Sequence, residues 1–314
     1  MRMAKVTNAF DTYSATADRE DLSNIIYNIS PMQTPFMSSI GKKSIKNVVF
    51  DWQTEVLPTP VATGQLEGFE LSRAASTATA RVSNVAMISS RDATVTGSQD
   101  ASDPAGKRSE MAHQLAVMAK ALKRDMEESL CQKGAKTTGA ANHARVTGGF
   151  ESWIKTNFNN QTGTAPTGNG TAPTDSGTLR DLTEPLLKVS LQKCFASGGE
   201  PSLAICGPHN KQVISGFTGR TQARQNIDAN TVEASVAVYS SDFGELKIVP
   251  SNRSRERSLL LVDPEFAKVS YLRDFKTVDI ATIGDAETKM IVVEYGLEVS
   301  NEAAHSIVSD LNVS

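Results

Sequence analysis

SDPAGKRSEMAHQLAVMAKALKRDMEESLCQKG, residues 102–134, is the stretch from which the fold is read. Apolar side chains recur at Met111, Leu115, Met118, Leu122, Met126 and Leu130, always three or four residues apart, which is the spacing of one helix face. Ser102 or Asp103 is a suitable N-cap, Pro104 suits the first helical position, and Gly134 suits the end. The expected helix spans residues 104–133 and, at roughly 1.5 Å per residue, is a rod of about 45 Å.

Immediately before this rod, residues 47–101 read as a long β-ribbon. Val48, Phe50 and Trp52 alternate with Asn47, Val49 and Asp51, and a return strand alternates through Val82, Asn84, Ala86 and Ile88 to Val95. Between them lies a tip rich in Gly, Ala, Ser and Thr that carries Glu67, Glu70 and Arg73. A two-stranded ribbon is marginal alone in water, so this one is expected to lie on another surface. Residues 1–46 form an arm: a short helix with the stripe Leu22, Ile25, Ile26 and Ile29, then extended chain at Pro31 and Pro35.

Downstream, Gly148–Ile154 reads as a buried turn, and Gln161–Gly177 as a mobile surface loop. Residues 178–264 read as an α/β module with a helix at Thr178–Ala196, in which Pro185 is a kink or part of the first turn. Its further elements are a strand at Ser202–Cys206, a helix opened by Pro208, and strands at Val232–Tyr239, Glu245–Val249 and Leu259–Val262. Strands at Ala267–Leu272, Thr277–Ile283 and Thr288–Val299 close the chain. The fold class is α+β.

Composition excludes several functions. An apolar content of 39% with 21% charged residues is ordinary for a folded protein and argues against disorder. A formal net charge of −3 argues against a protein whose main task is gripping nucleic acid. The longest apolar runs, such as Leu259–Val262, are strand-sized, so no membrane span is expected. Cys131, Cys194 and Cys206 are odd in number and far apart, which fits a reducing compartment such as the cytosol.

Chemistry-bearing patterns are missing. His113, His143, His209 and His305 are isolated, and neither a CxxC nor an HxxxH spacing occurs. No phosphate-binding glycine loop and no GxSxG elbow is present. No catalytic, cofactor or metal site is therefore expected. His209, after a buried strand, is the one residue on which a soluble α/β enzyme reading could rest.

Charge is instead arranged for assembly. Residues 47–106 hold seven acidic side chains, three arginines and no lysine, whereas residues 107–136 hold seven basic and four acidic ones. An acidic ribbon and a basic rod in one chain attract each other between copies, which sets register more than affinity. Trp52, Glu67, Glu70 and Arg73 of the ribbon, with Lys120, Lys123 and Arg124 of the rod, are the expected inter-subunit contacts.

The order of arm, ribbon, long helix, α/β module and closing strands resembles the Hong Kong 97 capsid fold. Short motifs make the chain similar to a family of tailed-phage major head proteins. They include Thr12-Tyr13-Ser14-Ala15-Thr16, Ser30-Pro31-Met32-Gln33-Thr34-Pro35-Phe36, Leu66-Glu67-Gly68, Lys120–Glu127, Gly148–Trp153, Asn210-Lys211-Gln212, Ser241–Leu246, Leu261–Pro264 and Asn301–Ala304. The resemblance implies an N-terminal arm (1–46), an extended E-loop (47–101), a peripheral P-domain with its spine helix (102–177), an axial A-domain (178–264) and P-domain return strands (265–314). It further implies an icosahedral head of pentamers and hexamers of identical subunits around packaged double-stranded DNA, assembled in the host cytoplasm, with a portal and a possible decoration protein. Contact with DNA is expected to be weak and non-specific, without any membrane. Some relatives join an E-loop lysine to an asparagine covalently; here no lysine lies between Lys46 and Lys107, so a non-covalent shell is expected. The arm motifs begin near residue 10, so a separate scaffolding protein is expected. An encapsulin-like nanocompartment shell of the same fold is the alternative.

Overall fold

The computed structural model describes residues 34–55, 64–65, 67–70, 78–101, 109–217, 238–282 and 284–313. The expected arm helix and Arg73 lie outside them. Pro35, expected in extended chain, instead opens helix α1 (Pro35–Ser39), which leads into strand β1 (Gly41–Ser44). Proline is preset for a first helical turn, and the free N–H groups that follow it find an acceptor. Both carboxylate oxygens of Glu127 take them, from Phe36 at 2.7 Å and Met37 at 2.9 Å.

Glu127 belongs to the long helix, α3 (Glu110–Cys131), which is shorter than the expected 104–133. Ser109 has an extended backbone, and its hydroxyl accepts the Ala112 N–H at 3.4 Å, so it takes the capping role expected of Ser102 or Asp103. Gln132 is extended again at the other end. The rod is thus about 33 Å long. Its buried stripe is Met111, Leu115, Ala119, Leu122, Met126 and Leu130.

The ribbon strands β2 (Val49–Thr54) and β3 (Ala80–Val85) pair antiparallel as a separate two-stranded sheet. The chain then turns at buried Ala86 into β4 (Met87–Thr96), followed by a one-turn helix α2 (Gly97–Ala101). Strand β4 does not belong to the ribbon. It pairs with β11 (Ala286–Val299), which pairs in turn with β10 (Ala267–Ile280) and so with β1, giving the order β1-β10-β11-β4. The two strands expected within residues 267–283 are one strand whose register shifts between Tyr271 and Lys276.

Strand alternation gives this sheet two covered faces. Ile291, Val293, Tyr295, Leu297 and Val299 share the main apolar core with the α3 stripe. On the opposite face, buried Glu294 is held by Arg145 at 2.6 Å and Arg273 at 2.7 Å, and buried Glu298 by Lys43 at 2.8 Å. Pairing of this kind is what a carboxylate removed from water requires.

A second sheet has the order β5-β12-β9-β6-β8-β7. Its strands are β5 (Phe158–Asn159), β6 (Leu203–Cys206), β7 (Val238–Ser241), β8 (Gly244–Pro250), β9 (Leu259–Val262) and β12 (Ser306–Val308). Leu203, Ile205, Leu260, Val262 and Ile307 point into the main core. Ala204, Cys206, Leu259, Leu261 and Val308 point the other way, into a second core closed by Leu187 and Leu191 of α4 (Glu184–Ala196) and Ile214 of α5 (Pro208–Ser215). Helix α4 begins at Glu184 and not at Thr178, because Pro185 fits only its first turn. The first six residues of the strand expected at Val232–Tyr239 lie outside the described residues. The 161–177 loop is pinned: Asp310, at a left-handed φ of 62°, accepts the Ser176 N–H at 2.9 Å and the Gln161 N–H at 3.1 Å.

Burial pushes the Glu127 carboxyl up to about 7, against the pull of its two N–H bonds, from an ordinary value of 4.5. The folded chain therefore holds this proton more tightly than the unfolded chain. Stability linked to it is full below pH 4.5 and is lost as pH rises through 7. Glu127→Gln cannot ionise. Denaturant unfolding of the soluble subunit is expected to show the wild type losing about 2 kcal/mol relative to Glu127→Gln between pH 5 and pH 8. Parallel curves would mean that Glu127 is solvated.

Candidate assembly surface

The base of the ribbon is locked by a polar side chain at an inward position. Asn84 Nδ2 donates to Thr147 Oγ1 at 3.0 Å and to the Leu297 carbonyl at 2.6 Å. Its Oδ1 accepts the Gly148 N–H at 3.0 Å and the Val85 N–H at 2.8 Å. One fully buried amide thus joins β3, the 147–148 turn and β11. Phe50 packs closely against Gly296 of β11, where a Cβ would come within 2.7 Å of the ring. Lys136 Nζ sits 5.6 Å above the Trp153 ring and donates to the Ser83 carbonyl at 2.7 Å.

This packing corrects the expectation for Trp52. It is only 8% exposed, with its ring 5.3 Å from that of Trp153 in the same chain, so it anchors the ribbon base and is not offered to a neighbour. One clue to the lock is legible in the sequence: Asn84 stands where alternation calls for an apolar residue.

The tip is the opposite case. Glu67 and Glu70 are exposed around a turn in which Gly68 has φ 80°, and Phe69 between them is 50% exposed. Glu67 and Glu70 have no ion-pair partner among the described residues. Within one subunit, then, the ribbon is a rigid base carrying an uncovered acidic and aromatic end.

On α3, Lys120 and Arg124 are exposed on the side away from the core, beside His113 and Val117. Lys123 differs. It is half-buried, its Nζ lies 5.7 Å from the Phe275 ring, and burial, then the nearby Lys42 charge, lowers it to about 8. Arg91 ties β4 to the same helix through a two-point pair with Asp125 at 2.7 and 2.9 Å. The exposed basic strip is therefore Lys120 and Arg124, with Lys123 at its inner edge.

The remaining reactive side chains are built into packing. Burial raises Cys194 and Cys206 to about 12 and lifts Cys131 well above the ordinary thiol value, so these thiols are not nucleophiles at neutral pH. His305 is buried and lowered to about 4; its Nδ1 accepts the Asp263 N–H at 3.1 Å. Among the described residues no three His, Cys, Asp or Glu side chains gather as metal ligands, and no helix is long and apolar enough to cross a membrane. His209 lies in the first turn of α5, with no such group around it.

Comparison with known proteins gives this geometry its setting. The major capsid protein of Escherichia phage Phieco32 is 24% identical over 337 residues, covering 95% of this chain and 96% of that one. The capsid of cyanophage A-1(L) superposes with a TM-score of 0.63 at 12% identity, over 91% of this chain and 95% of its own. The holo-SrpI encapsulin complex of Synechococcus elongatus superposes with a TM-score of 0.53 at 10% identity, over 95% and 97% of the two chains. This phage capsid and this encapsulin thus share the Hong Kong 97 fold of the chain. The model of the SU10 major capsid protein family matches residues 5–312. The chain belongs to the SU10 major capsid protein family and is a phage major capsid protein that forms the icosahedral head.

Proposed function

We propose that the ribbon tip of one subunit lies on the exposed basic strip of a neighbour's α3. The carrying observation is the contrast within the ribbon: its base is locked to its own subunit, while Glu67, Phe69 and Glu70 are exposed, with nothing covering them among the described residues. Glu67 and Glu70 then meet Lys120 and Arg124, Lys123 flanks the contact, and Phe69 is desolvated beneath it. Arg73, from the same ribbon, belongs to this contact. Exposed pairs of this kind contribute up to about 1 kcal/mol each, so repetition over every copy in the shell supplies the strength and the charge pattern supplies the register.

Around this contact the chain divides into an arm (1–46), an E-loop ribbon of β2, β3 and their tip, a P-domain built on α3 and the four-stranded sheet, and an A-domain on the six-stranded sheet. The subunit acts by shape and contact, without catalysis. Identical copies form pentamers and hexamers, assembled in the host cytoplasm with a separate scaffolding protein and a portal, and open to a decoration protein. The packaged double-stranded DNA is touched weakly, since a subunit of net charge −3 leaves most phosphate charge to mobile cations. No lysine lies between Lys46 and Lys107, so the ribbon has no amine with which to cross-link, and the shell is held non-covalently. The family match favours a head over a nanocompartment, and the buried thiols disfavour an enzyme.

Three outcomes follow. Glu67→Lys with Glu70→Lys is expected to lower the yield of closed particles, and adding Lys120→Glu with Arg124→Glu is expected to restore part of it; full yield from the first pair alone contradicts the contact. Dissociated particles are expected to run as single subunits on a denaturing gel, and a ladder would reveal covalent links. Asn84→Ala removes four bonds from the ribbon base, each worth about 1 kcal/mol. Trypsin should then cut after Arg81 several-fold faster than in the wild type, and an unchanged rate would show that Asn84 is not the lock.

A further inference from the structure

The turn that joins β8 to β9, Ser251-Asn252-Arg253-Ser254-Arg255-Glu256-Arg257-Ser258, carries an arginine at every second position. Ser251 and Ser254 shape it: the Ser251 hydroxyl accepts the Arg253 and Ser254 N–H groups, both at 3.2 Å. Asn252 and Glu256 face water, while the three arginines turn inward. Arg253 reaches Glu128 on α3 at 3.7 Å. Arg255 spans two carboxylates, Glu151 of the 150–152 turn at 3.0 Å and Asp175 of the pinned loop at 2.6 Å. Arg257 donates to the Ser176 carbonyl at 3.1 Å and lies 3.9 Å from Asp175, which Lys133, just past the end of α3, also pairs.

This clasp connects the six-stranded sheet to the end of the long helix. The two sheets already share the apolar core, so the clasp is not needed to hold them together. Its chemistry is also poor as a source of stability. Glu151 is completely buried, and burial raises its carboxyl despite Arg255. One oxygen of Glu151 and the Nε groups of Arg253 and Arg257 are buried without a hydrogen-bond partner. Buried ion pairs contribute little net stability. They are directional, whereas apolar contact lets two surfaces slide.

We propose that the Arg253–Arg255–Arg257 clasp is a positioning device that fixes the angle between the six-stranded sheet and α3, the helix that packs on the four-stranded sheet, and through it the curvature of the assembled shell. A small change of angle in one subunit is repeated at every position of a closed shell, where it changes diameter instead of merely weakening a fold.

Arg255→Lys keeps the charge but cannot fork between Glu151 and Asp175. Lys133→Ala removes one partner of Asp175 from a partly exposed side chain and leaves the buried pair intact. Leu191→Ala, in the second core away from the clasp, is the control for lost stability alone. Particles made in cells by each full-length variant are sized by electron microscopy, and melting of the dissociated subunits is followed in parallel. Shells of shifted or mixed diameter are expected from Arg255→Lys, with a smaller shift in the same direction from Lys133→Ala, while Leu191→Ala melts lower and keeps one diameter. If Arg255→Lys gives no soluble subunit, Lys133→Ala decides. Uniform shells of wild-type size from both clasp variants, or mixed sizes from Leu191→Ala as well, would overturn the proposal.

Discussion

Strand β11 must be covered on both faces, and the rest of the subunit follows from how that is done. Its apolar face takes the α3 stripe in the ordinary way of a sheet under a helix. Its other face carries Glu294, Gly296 and Glu298, which no apolar layer could cover without stranding two carboxylates. Arg145, Arg273 and Lys43 neutralise the charges, and the ribbon base fills the space that glycine leaves, with Phe50 on Gly296 and the Asn84 amide beside it. The ribbon is thereby fixed at its root, while Glu67, Phe69 and Glu70 at its tip stay exposed. A slender element that would be marginal alone becomes a stiff projection because only its base needs to be stable.

The same division of labour recurs elsewhere. Where the chain holds a shape, polar groups with fixed geometry are used: Glu127 on the α1 amides, Asp310 on the 161–177 loop, and the arginine clasp between the β8–β9 turn and the end of α3. The contact proposed between copies instead uses side chains that are exposed in the subunit. Glu67, Phe69 and Glu70 on one side, and Lys120 and Arg124 on the other, are of this second kind.

Much of the fold was legible in the sequence because it rests on period. The α3 stripe, the alternation of Phe50 and Trp52, the all-apolar Leu259–Val262 and the place of Pro185 are local signals, and they located their elements. The end of the ribbon was misjudged because β3 and β4 run on in one extended sequence, and only pairing with β11 shows that they belong to different sheets. The α3 start was placed early because Ser102, Asp103 and Pro104 make as good a cap by composition as Ser109 does by geometry. Of the expected contact residues, Trp52 was misread, since one aromatic on an alternating strand looks the same whether it meets its own body or a neighbour. Asn84 and the three clasp arginines carried faint signals, a polar residue on an apolar face and a charge at alternate positions. Their partners lie tens to hundreds of residues away, and periodicity does not reach that far.

The central claim is that the ribbon is rooted within the subunit and completed only by other copies. Hydrogen exchange of backbone amides, measured on dissociated subunits and on closed shells of the same chain, tests it most directly. Amides at the root, around residues 82–85, should be protected in both forms, and those at residues 67–70 should gain protection only in the shell. Strong protection of residues 67–70 in the dissociated subunit would contradict the account, because the tip would then be covered by its own body.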